Sequence, residues 1–336
     1  MTMRIVVLGS GSVGTYVGGA LLDVGADVVL IGRERMRKRL LQHGLVLTDM
    51  QQREVRLAGS DVPYFLDPQA LAGADLILLT VKSSDTAAAA ELILQHAAAT
   101  VPVLSLQNGI GNAAMLRQRL PGRPVLAGMV PFNVVQTEDG RLHRGTQGEL
   151  MVEASPLLTA WLPLFASAHL PLIERVDVVE VQWGKLLLNL NNPLNALSGL
   201  PLKTQLSQRA WRRCLALLVD EALATLDAAG IVPAQVARIA PRRLPLLLRL
   251  PNWLFTRVAA QMLRIDPEAR SSMWEDLQAG RRTEIDYLNG AVVALAASLG
   301  RTAPANQQLV RLIHQAEDGV APALDGMMLW AQLNDI

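Results

Sequence analysis

The feature that most constrains the fold of this chain is a glycine-rich turn near its N-terminus. An apolar run over residues 4–8 leads directly into the pattern G-x-G-x-x-G at residues 9–14, and a helical pattern follows over residues 11–24. A strand that enters a helix through such a turn is typical of a βαβ unit that binds a dinucleotide, because the helix N-terminus presents free N–H groups to phosphates. The alternative is a purely structural glycine turn. The candidate cofactor-binding residues here are Gly9, Ser10, Gly11, Ser12, Val13 and Gly14.

The rest of the chain falls into two parts with different patterns. In the first part short β-rich runs alternate with helical patterns, which is typical of a parallel sheet. From about residue 176 the strand signal fades, and helices are expected at residues 178–197, 209–229, 271–279, 283–299 and 305–319. We therefore predict an α/β fold: an N-terminal Rossmann-type parallel sheet over residues 1–175 that binds the dinucleotide, followed by a mostly α-helical catalytic and substrate domain over residues 176–336.

Composition excludes several classes of partner. Lys and Arg number 31 against 30 Asp and Glu, so no overall charge favours nucleic acid or a membrane surface. No run reaches the ~18 apolar residues of a membrane span, and no apolar leader precedes the first strand. Cys214 is the single cysteine, and the five histidines lack the spacing of metal ligands. A cytoplasmic protein with a small-molecule partner and no metal is expected.

The end of the second strand indicates which nicotinamide cofactor is bound. A site for NAD places Asp or Glu about 20 residues after the glycine turn, where the acid holds the ribose hydroxyls. This chain has Gly32 at that place and Arg33 directly after it. A guanidinium pairs with a 2′-phosphate through two hydrogen bonds, whereas a carboxylate repels it. Arg33 therefore favours NADP(H); the alternative is a solvated arginine at a helix start.

Polar residues interrupt a leucine-rich helical pattern in the second part of the chain. Lys185, Asn189 and Asn192 are spaced at i, i+4 and i+7, which predicts that they share one face of a helix. A lysine and two amides on an otherwise apolar face cost free energy unless they meet polar partners. The spacing is typical of a functional site; the alternative is a lysine whose ammonium reaches solvent beside helix-terminal asparagines.

Six motifs occur along the chain in a definite order. They are the glycine turn at 9–14, Arg33, Thr80-Val-Lys82, Gln107-Asn-Gly109, the helix of Lys185, and the sequence TEIDYLNG at residues 283–290. This ordered set resembles the ketopantoate reductase (2-dehydropantoate 2-reductase) family over nearly the whole chain. The resemblance implies an NADP-dependent oxidoreductase of pantothenate biosynthesis that reduces 2-dehydropantoate (ketopantoate) to pantoate.

The resemblance also implies individual roles on the cofactor side. It implies that Lys82 reaches the cofactor and that Asn108 lies between the nicotinamide and the substrate. It further implies that Glu284 holds a hydroxyl group of the substrate or of the cofactor.

On the substrate side, the resemblance implies that Lys185 is the general acid and that Asn189 donates a hydrogen bond to the substrate. Ser272, twelve residues before Glu284, is expected to bind the substrate carboxylate. Reduction of a 2-oxo acid builds negative charge on oxygen, so a proton donor is needed there, and burial lowers the pKa of a lysine from about 10.4 towards neutrality. The family pattern places a further asparagine eight residues after the lysine. That contact is assigned to Asn192, seven residues after it, with Asn191 and Asn195 as alternatives.

Two other functions compete with ketopantoate reduction. The first is a reductase of the same fold that acts on another 2-oxo acid. The second is a non-catalytic sensor that binds NADP(H) on the same scaffold. A sensor needs the glycine turn and Arg33, but it does not need Lys185, Asn189, Ser272 and Glu284 together.

A long segment over residues 233–270 is rich in Pro, Arg and Leu and lies between predicted helices. It combines many apolar residues with arginines but has little lysine, a composition typical of an interface. We expect this segment at a homodimer contact or over the mouth of the active site. The alternative is a helical cap that is buried within its own subunit.

Overall fold

The computed structural model describes residues 3–137, 139–260, 269–320 and 324–335. The chain divides into two compact units, Met1–Val179 and Glu180–Ile336. The sequence places a boundary between residues 175 and 176. That each part carries one half of the chemistry stays a prediction.

The first unit alternates strands and helices. Alongside short 3₁₀ turns, its elements in chain order are β1 (Arg4–Leu8), α1 (Ser12–Asp23), β2 (Asp27–Ile31), α2 (Glu34–His43), β3 (Leu45–Asp49), β4 (Glu54–Leu57), β5 (Tyr64–Phe65), β6 (Leu76–Leu79), α3 (Thr86–His96), β7 (Val103–Ser105), α4 (Asn112–Arg119), β8 (Val125–Met129), β9 (Val134–Gln136), β10 (Leu142–Arg144), β11 (Leu150–Glu153), α5 (Leu162–Ser167) and β12 (Leu172–Arg175).

Eight strands of the described residues form one twisted sheet in the order β12-β11-β8-β7-β6-β1-β2-β5. The strands from β8 to β5 run parallel, and β11 joins β8 antiparallel. Alternate residues of β1 pack into different cores, Ile5 and Val7 into one and Val6 and Leu8 into the other. Both faces are therefore covered, which explains why β1 reads as an unbroken apolar run. The prediction of an N-terminal Rossmann-type parallel sheet is confirmed.

A smaller sheet packs beside the main one and has the order β4-β3-β10-β9. The strands β3 and β4 are consecutive in the chain and pair antiparallel as a hairpin. The other two strands of the sheet were not predicted, because β10 is three residues long and pairs with β3 from the far end of the unit.

The described part of the second unit is helical. Its helices are α6 (Val178–Asn189), which begins just before the division, α7 (Asn191–Ser198), α8 (Leu202–Ser207), α9 (Arg209–Ala228), α10 (Leu244–Leu248), α11 (Asn252–Val258), α12 (Ser272–Gln278), α13 (Asn289–Ser298), α14 (Pro304–Glu317) and α15 (Gly326–Asn334). The long helix α9 contacts α10, α13, α14 and α15 and is the centre of the unit. In the part of the chain that is described, no helix combines the length and apolarity that a membrane span requires.

Two predicted helices begin or end elsewhere. The single helix expected over residues 178–197 is wrong, because it is interrupted at Leu190 into α6 and α7. Pro193 has no N–H to donate to the carbonyl of Asn189, four residues earlier, which accounts for the interruption. The helix expected from residue 283 begins at Asn289 instead, after a 3₁₀ turn at Ile285–Tyr287.

The described part of the 233–270 segment packs mainly on its own unit. Leu244, Leu247, Leu248 and Phe255 are buried, as the intrasubunit alternative requires, while the Trp253 side chain is 71% exposed. Residues 261–268 lie outside the described residues, so the expectation for them stays a prediction.

Candidate active site

The glycine turn follows β1 and is clamped on both sides by neighbouring strands. Gly9 has a φ of +100°, which only glycine adopts readily, and its N–H and that of Ser10 both donate to the Ile31 carbonyl at 2.9 Å. On the other side, the Thr80 hydroxyl donates to the Gly9 carbonyl at 3.0 Å. The turn is therefore a rigid platform that β2 and the loop after β6 both support.

The predicted cofactor residues of this turn face different ways. The Ser10 hydroxyl is buried and donates to the Val7 carbonyl at 3.2 Å, so this side chain stabilises the turn itself. Helical geometry leaves the first N–H groups of α1, those of Ser12, Val13 and Gly14, without partners within the helix. The first turn of α1 also contains no acidic residue that would neutralise its positive end.

The space around the turn fits a dinucleotide pyrophosphate. A side chain at Gly14 would overlap the Thr80 hydroxyl, so the helix lies close against the sheet. At Gly11 an added Cβ would come no closer than 3.9 Å to its nearest neighbour, so the backbone there is open to another group. These residues form an open cradle beneath a helix N-terminus, the arrangement that binds phosphates.

At the end of β2 there is little room for a side chain at Gly32. A side chain at Gly32 would overlap the hydroxyl of Tyr64. Tyr64 lies on β5, which pairs with β2. That hydroxyl lies 3.2 Å from the Ser10 carbonyl and 3.3 Å from the Arg33 carbonyl, to which it donates. Burial raises the pKa of Tyr64 to about 12, so the phenol stays a donor. Tyr64 therefore fixes the glycine turn and the base of Arg33 together.

Lys82 and Asn108 lie on loops that follow neighbouring strands, β6 and β7. The Asn108 carbonyl accepts hydrogen bonds from the Ser83 hydroxyl and the Asn112 amide, both at 2.8 Å. A buried polar network of Ser83, Thr86, Gln107 and Asn112 thus joins the two loops. Lys82 and Asn108 are both half-buried at the edge where β1 ends in the glycine turn.

In the second unit, Lys185 and Asn189 lie on α6, one turn apart, and both are half-buried. Burial lowers the pKa of Lys185 to about 8, and the carboxylate of Glu284 opposes part of that shift. Glu284 comes from the loop before the 3₁₀ turn at Ile285–Tyr287, about a hundred residues away in sequence. The fold therefore brings the predicted acid and the predicted hydroxyl-binding carboxylate within electrostatic reach.

The three asparagines that follow α6 have different surroundings. Asn191 is buried and exchanges hydrogen bonds with Gln205 at 2.9 and 3.2 Å. Asn195 is also buried and donates to the Leu200 carbonyl at 2.9 Å. Asn192 is half-buried on α7, and its side chain has no hydrogen-bond partner among the described residues. Asn191 and Asn195 therefore stabilise the fold, and Asn192 stays the candidate for a substrate contact.

Two adjacent serines begin α12 and have different surroundings. Ser271 is the buried N-cap: its hydroxyl accepts the Trp274 N–H at 3.2 Å and donates to the Asn192 carbonyl at 3.1 Å. Ser272, the predicted carboxylate-binding residue, is exposed in the first turn of the same helix. The cap thus ties the helix that carries Ser272 to the residue that precedes Pro193.

The loop that carries Glu284 is held by a buried carboxylate. Glu317, whose side chain is 2% exposed, accepts the Thr283 N–H at 2.7 Å and pairs with Arg282 at 2.8 Å and His314 at 3.0 Å. Burial alone would raise the pKa of Glu317, but these hydrogen bonds outweigh it and lower that pKa to about 2. The cluster therefore fixes the backbone on the N-terminal side of Glu284.

Several of these contributors were not identified from the sequence. They are Tyr64, Ser271 and Glu317. Each acts on a residue far away in sequence or on a backbone group, so no local spacing marks it. In the described residues no group of three or more His, Cys, Asp or Glu side chains is placed to hold a metal ion.

A Rossmann-type unit with a phosphate cradle, followed by a helical unit with a half-buried lysine of lowered pKa, is typical of a nicotinamide-dependent oxidoreductase. Family models narrow this class. The model described as ketopantoate reductase PanE/ApbA matches residues 5–156, and the model of its C-terminal part matches residues 177–317. The chain belongs to the ketopantoate reductase family, as its motifs predicted, and it is an enzyme.

Individual relatives agree with this assignment. A 2-dehydropantoate 2-reductase of Halobacterium salinarum is 29% identical over 94% of this chain and 99% of its own. The crystal structure of a PanE/ApbA family ketopantoate reductase from Ralstonia eutropha is 32% identical and covers 95% of this chain and 99% of its own, with a TM-score of 0.79. D-mandelate dehydrogenase in complex with NADH and anilino(oxo)acetate shares the fold at a TM-score of 0.75, with 20% identity over 95% of this chain and 99% of its own.

Proposed function

We propose that this enzyme uses NADPH to reduce a 2-oxo acid to a 2-hydroxy acid, with ketopantoate as the substrate and pantoate as the product. The observation that carries the proposal is that Lys185, a half-buried lysine whose pKa burial lowers to about 8, lies within electrostatic reach of the carboxylate of Glu284. The named activity of the relatives in Halobacterium salinarum and Ralstonia eutropha supports the choice of substrate.

Lys185 is the general acid of the proposed reaction. Negative charge develops on the C2 oxygen as the carbonyl is reduced, and a proton donor within hydrogen-bond reach stabilises it. An ammonium with a pKa near 8 stays largely protonated at neutral pH, yet it transfers its proton more readily than an exposed lysine. Glu284 keeps that pKa from falling further and accepts a hydrogen bond from a substrate or cofactor hydroxyl.

Neutral groups orient the substrate. Asn189 lies one helical turn from Lys185, so its amide is placed to donate to the same ligand. Asn192 and Ser272 supply further hydrogen bonds, with Ser272 directed to the carboxylate at the positive end of α12. Amides and a hydroxyl hold the anion without a second charge that would compete for the lysine.

The first unit holds the cofactor, which supplies the hydride when it is bound. The N–H groups at the start of α1 bind its pyrophosphate, with Lys82 and Asn108 contacting it from the loops after β6 and β7. Arg33 pairs with the 2′-phosphate, and a side chain at Gly32 would overlap the Tyr64 hydroxyl. These features support NADPH over NADH.

We also propose that the enzyme forms a homodimer through the exposed part of the 233–260 segment. Trp253, Leu246 and Val258 expose 71%, 69% and 58% of their surface. Exposed apolar groups among arginines are typical of a contact with a partner.

The cofactor assignment is tested by measuring kcat/KM for NADPH and for NADH with ketopantoate. We expect a strong preference for NADPH, and Arg33→Ala should lower kcat/KM for NADPH roughly tenfold to a hundredfold, the contribution of a charge-assisted pair. Arg35→Ala, which removes an exposed charge two residues further along α2, is the matched control and should change little. Equal use of both cofactors by the unaltered enzyme would contradict the assignment.

A further inference from the structure

Arg33 is paired with a carboxylate at the cofactor edge of the sheet. Its Nη2 lies 2.9 Å from Oδ2 of Asp85, with 82% of the arginine side chain and 42% of the aspartate side chain exposed. Tyr64 holds the backbone carbonyl of Arg33, so a change of partner needs only the side chain to turn.

The ion pair crosses the place where the dinucleotide is proposed to bind. Arg33 follows β2 and Asp85 lies shortly after β6, and the sheet order places β1 between these two strands. All three strands are parallel, so their carboxyl ends meet at one edge, where β1 runs into the glycine turn. The pair therefore extends over the carboxyl end of β1.

The side chain of Asp85 does not stabilise the helix that follows it. Asp85 occupies the N-cap of α3, yet its side chain forms no capping hydrogen bond there. Its other polar contact is with the Ser84 hydroxyl, at 3.5 Å. The carboxylate is thus directed to Arg33 rather than to α3. An aspartate at an N-cap usually accepts hydrogen bonds from the first N–H groups of its helix.

We propose that Asp85 is a specificity-determining residue that competes with the 2′-phosphate of NADP(H) for Arg33 and so sets how strongly the enzyme prefers NADPH. This inference rests on the proposed role of Arg33. A phosphate carries about −1.5 to −2 charges and displaces the carboxylate, but the energy of the broken ion pair is subtracted from the affinity. NAD(H) has no phosphate at this place, so its binding leaves the pair intact.

The test measures dissociation constants of NADP⁺ and NAD⁺ by isothermal titration calorimetry. Asp85→Asn should lower the dissociation constant of NADP⁺ on the order of three- to tenfold, because it removes the ion pair that competes with the phosphate for Arg33. The dissociation constant of NAD⁺ should change less than about twofold. Glu91→Gln removes an exposed charge from the same helix, α3, and serves as the matched control that should change neither value.

The double variant Arg33→Ala/Asp85→Asn shows whether Asp85 acts through Arg33. In the Arg33→Ala background the Asp85 substitution should change the dissociation constant of NADP⁺ less than about twofold. The inference is overturned if Asp85→Asn does not tighten NADP⁺, if it tightens both cofactors alike, or if the full gain persists without Arg33. Asp85→Ser repeats the test with a different side chain, and thermal melting shows that each variant is folded.

The same titrations separate this inference from the proposed cofactor preference. If Arg33→Ala leaves NADP⁺ binding unchanged, Arg33 does not hold the 2′-phosphate, and both proposals fail. If Arg33→Ala weakens NADP⁺ but Asp85→Asn has no effect, the role of Arg33 stands and only the competition by Asp85 is wrong.

Discussion

At the scale of single residues, the proposed role of Lys185 as the general acid predicts how the rate depends on pH. Burial lowers its pKa to about 8, so the ammonium is present below that pH and is lost above it. A general acid must be protonated to act, so kcat/KM for ketopantoate reduction should fall as the pH rises through about 8, by up to about tenfold per pH unit. Lys185→Ala should lower turnover about 10²- to 10⁴-fold and remove this fall.

Glu284 provides the matched change, since its carboxylate raises the pKa of Lys185. Glu284→Gln should therefore move the high-pH fall in kcat/KM to lower pH.

NADPH binding, followed by fluorescence, should be nearly unchanged in Lys185→Ala. A Lys185→Ala enzyme with near-normal turnover would remove this lysine from the mechanism.

Residues that belong to a local pattern were predictable from sequence, and their supports were not. The glycine turn and Gly32-Arg33 follow a strand at fixed spacing, and Lys185 lies one turn from Asn189. Tyr64 and Asp85 both contact Arg33, which follows β2. Only the order of the strands in the sheet brings these residues together. Pairing in space carries no periodicity, so neither was identified.

At the scale of elements, the buried Arg212 of α9 organises the ends of three shorter helices. It donates to the carbonyls of Leu206 and Ser207 in α8, of Leu248 at the end of α10, and of Leu250 before α11, at 2.8 to 3.2 Å. Arg212→Met would leave these buried and partly buried carbonyls without the guanidinium donor, so the free energy of unfolding should fall by about 3–5 kcal/mol. Urea denaturation measures this change.

Arg213 offers the control, because it lies next to Arg212 on α9 and stacks on Trp330 at 3.9 Å. Arg213→Met should cost no more than about 1 kcal/mol, the range of a cation–π contact near the surface. Equal losses in the two variants would show that the carbonyl contacts of Arg212 are not what stabilises this region.

His314 of α14 joins its own helix to the loop of Glu284. It bonds Glu317 through Nδ1 and Asp286 through Nε2, each at 3.0 Å, and these partners raise its pKa above the usual 6.5. A raised folded pKa means that the stabilisation is complete below the unfolded pKa of about 6.5 and is lost as the pH rises through the folded value. The Tm difference between the wild type and His314→Gln should therefore be largest near pH 6 and shrink in alkali. A pH-independent difference would contradict this account.

A single proline accounts for the break between α6 and α7, which the sequence pattern had predicted to be one helix. The spacing of Lys185, Asn189 and Asn192 predicted one shared helix face, but Pro193 interrupts the helix before the third residue. The periodicity of the apolar residues continues across the break, so hydrophobic pattern alone did not reveal it.

At the scale of the whole molecule, the exposed part of the 233–260 segment predicts a homodimer. Trp253→Asp together with Leu254→Asp places two charges on this surface, so the molecular mass measured by light scattering should fall to that of a monomer that still binds NADPH. Leu94→Asp, at an exposed apolar position on α3, is the control and should leave the mass unchanged. An active dimer of unaltered mass in the double variant would eliminate this contact, whereas lost turnover with the dimer intact would place the segment at the active-site mouth.

Local sequence patterns predicted most of the architecture, but they did not predict all strands of the small sheet. Each βαβ repeat of the first unit carries its own strand and helix signal, so the parallel sheet was predictable. The strands β9 and β10 are three residues each and gain their pairing from β3, far back in the chain. Their stability is tertiary, which no short window of sequence expresses.

The proposed reaction is the reduction of ketopantoate by NADPH, with Lys185 as the acid. The most direct measurement follows the absorbance of NADPH with purified enzyme and a panel of 2-oxo acids that includes ketopantoate. We expect oxidation of NADPH that depends on ketopantoate and forms pantoate in equal amount. Its rate should exceed that with every other acid of the panel, and it should be largely lost in Lys185→Ala. No oxidation with any 2-oxo acid, or a higher kcat/KM for a different one, would contradict this proposal.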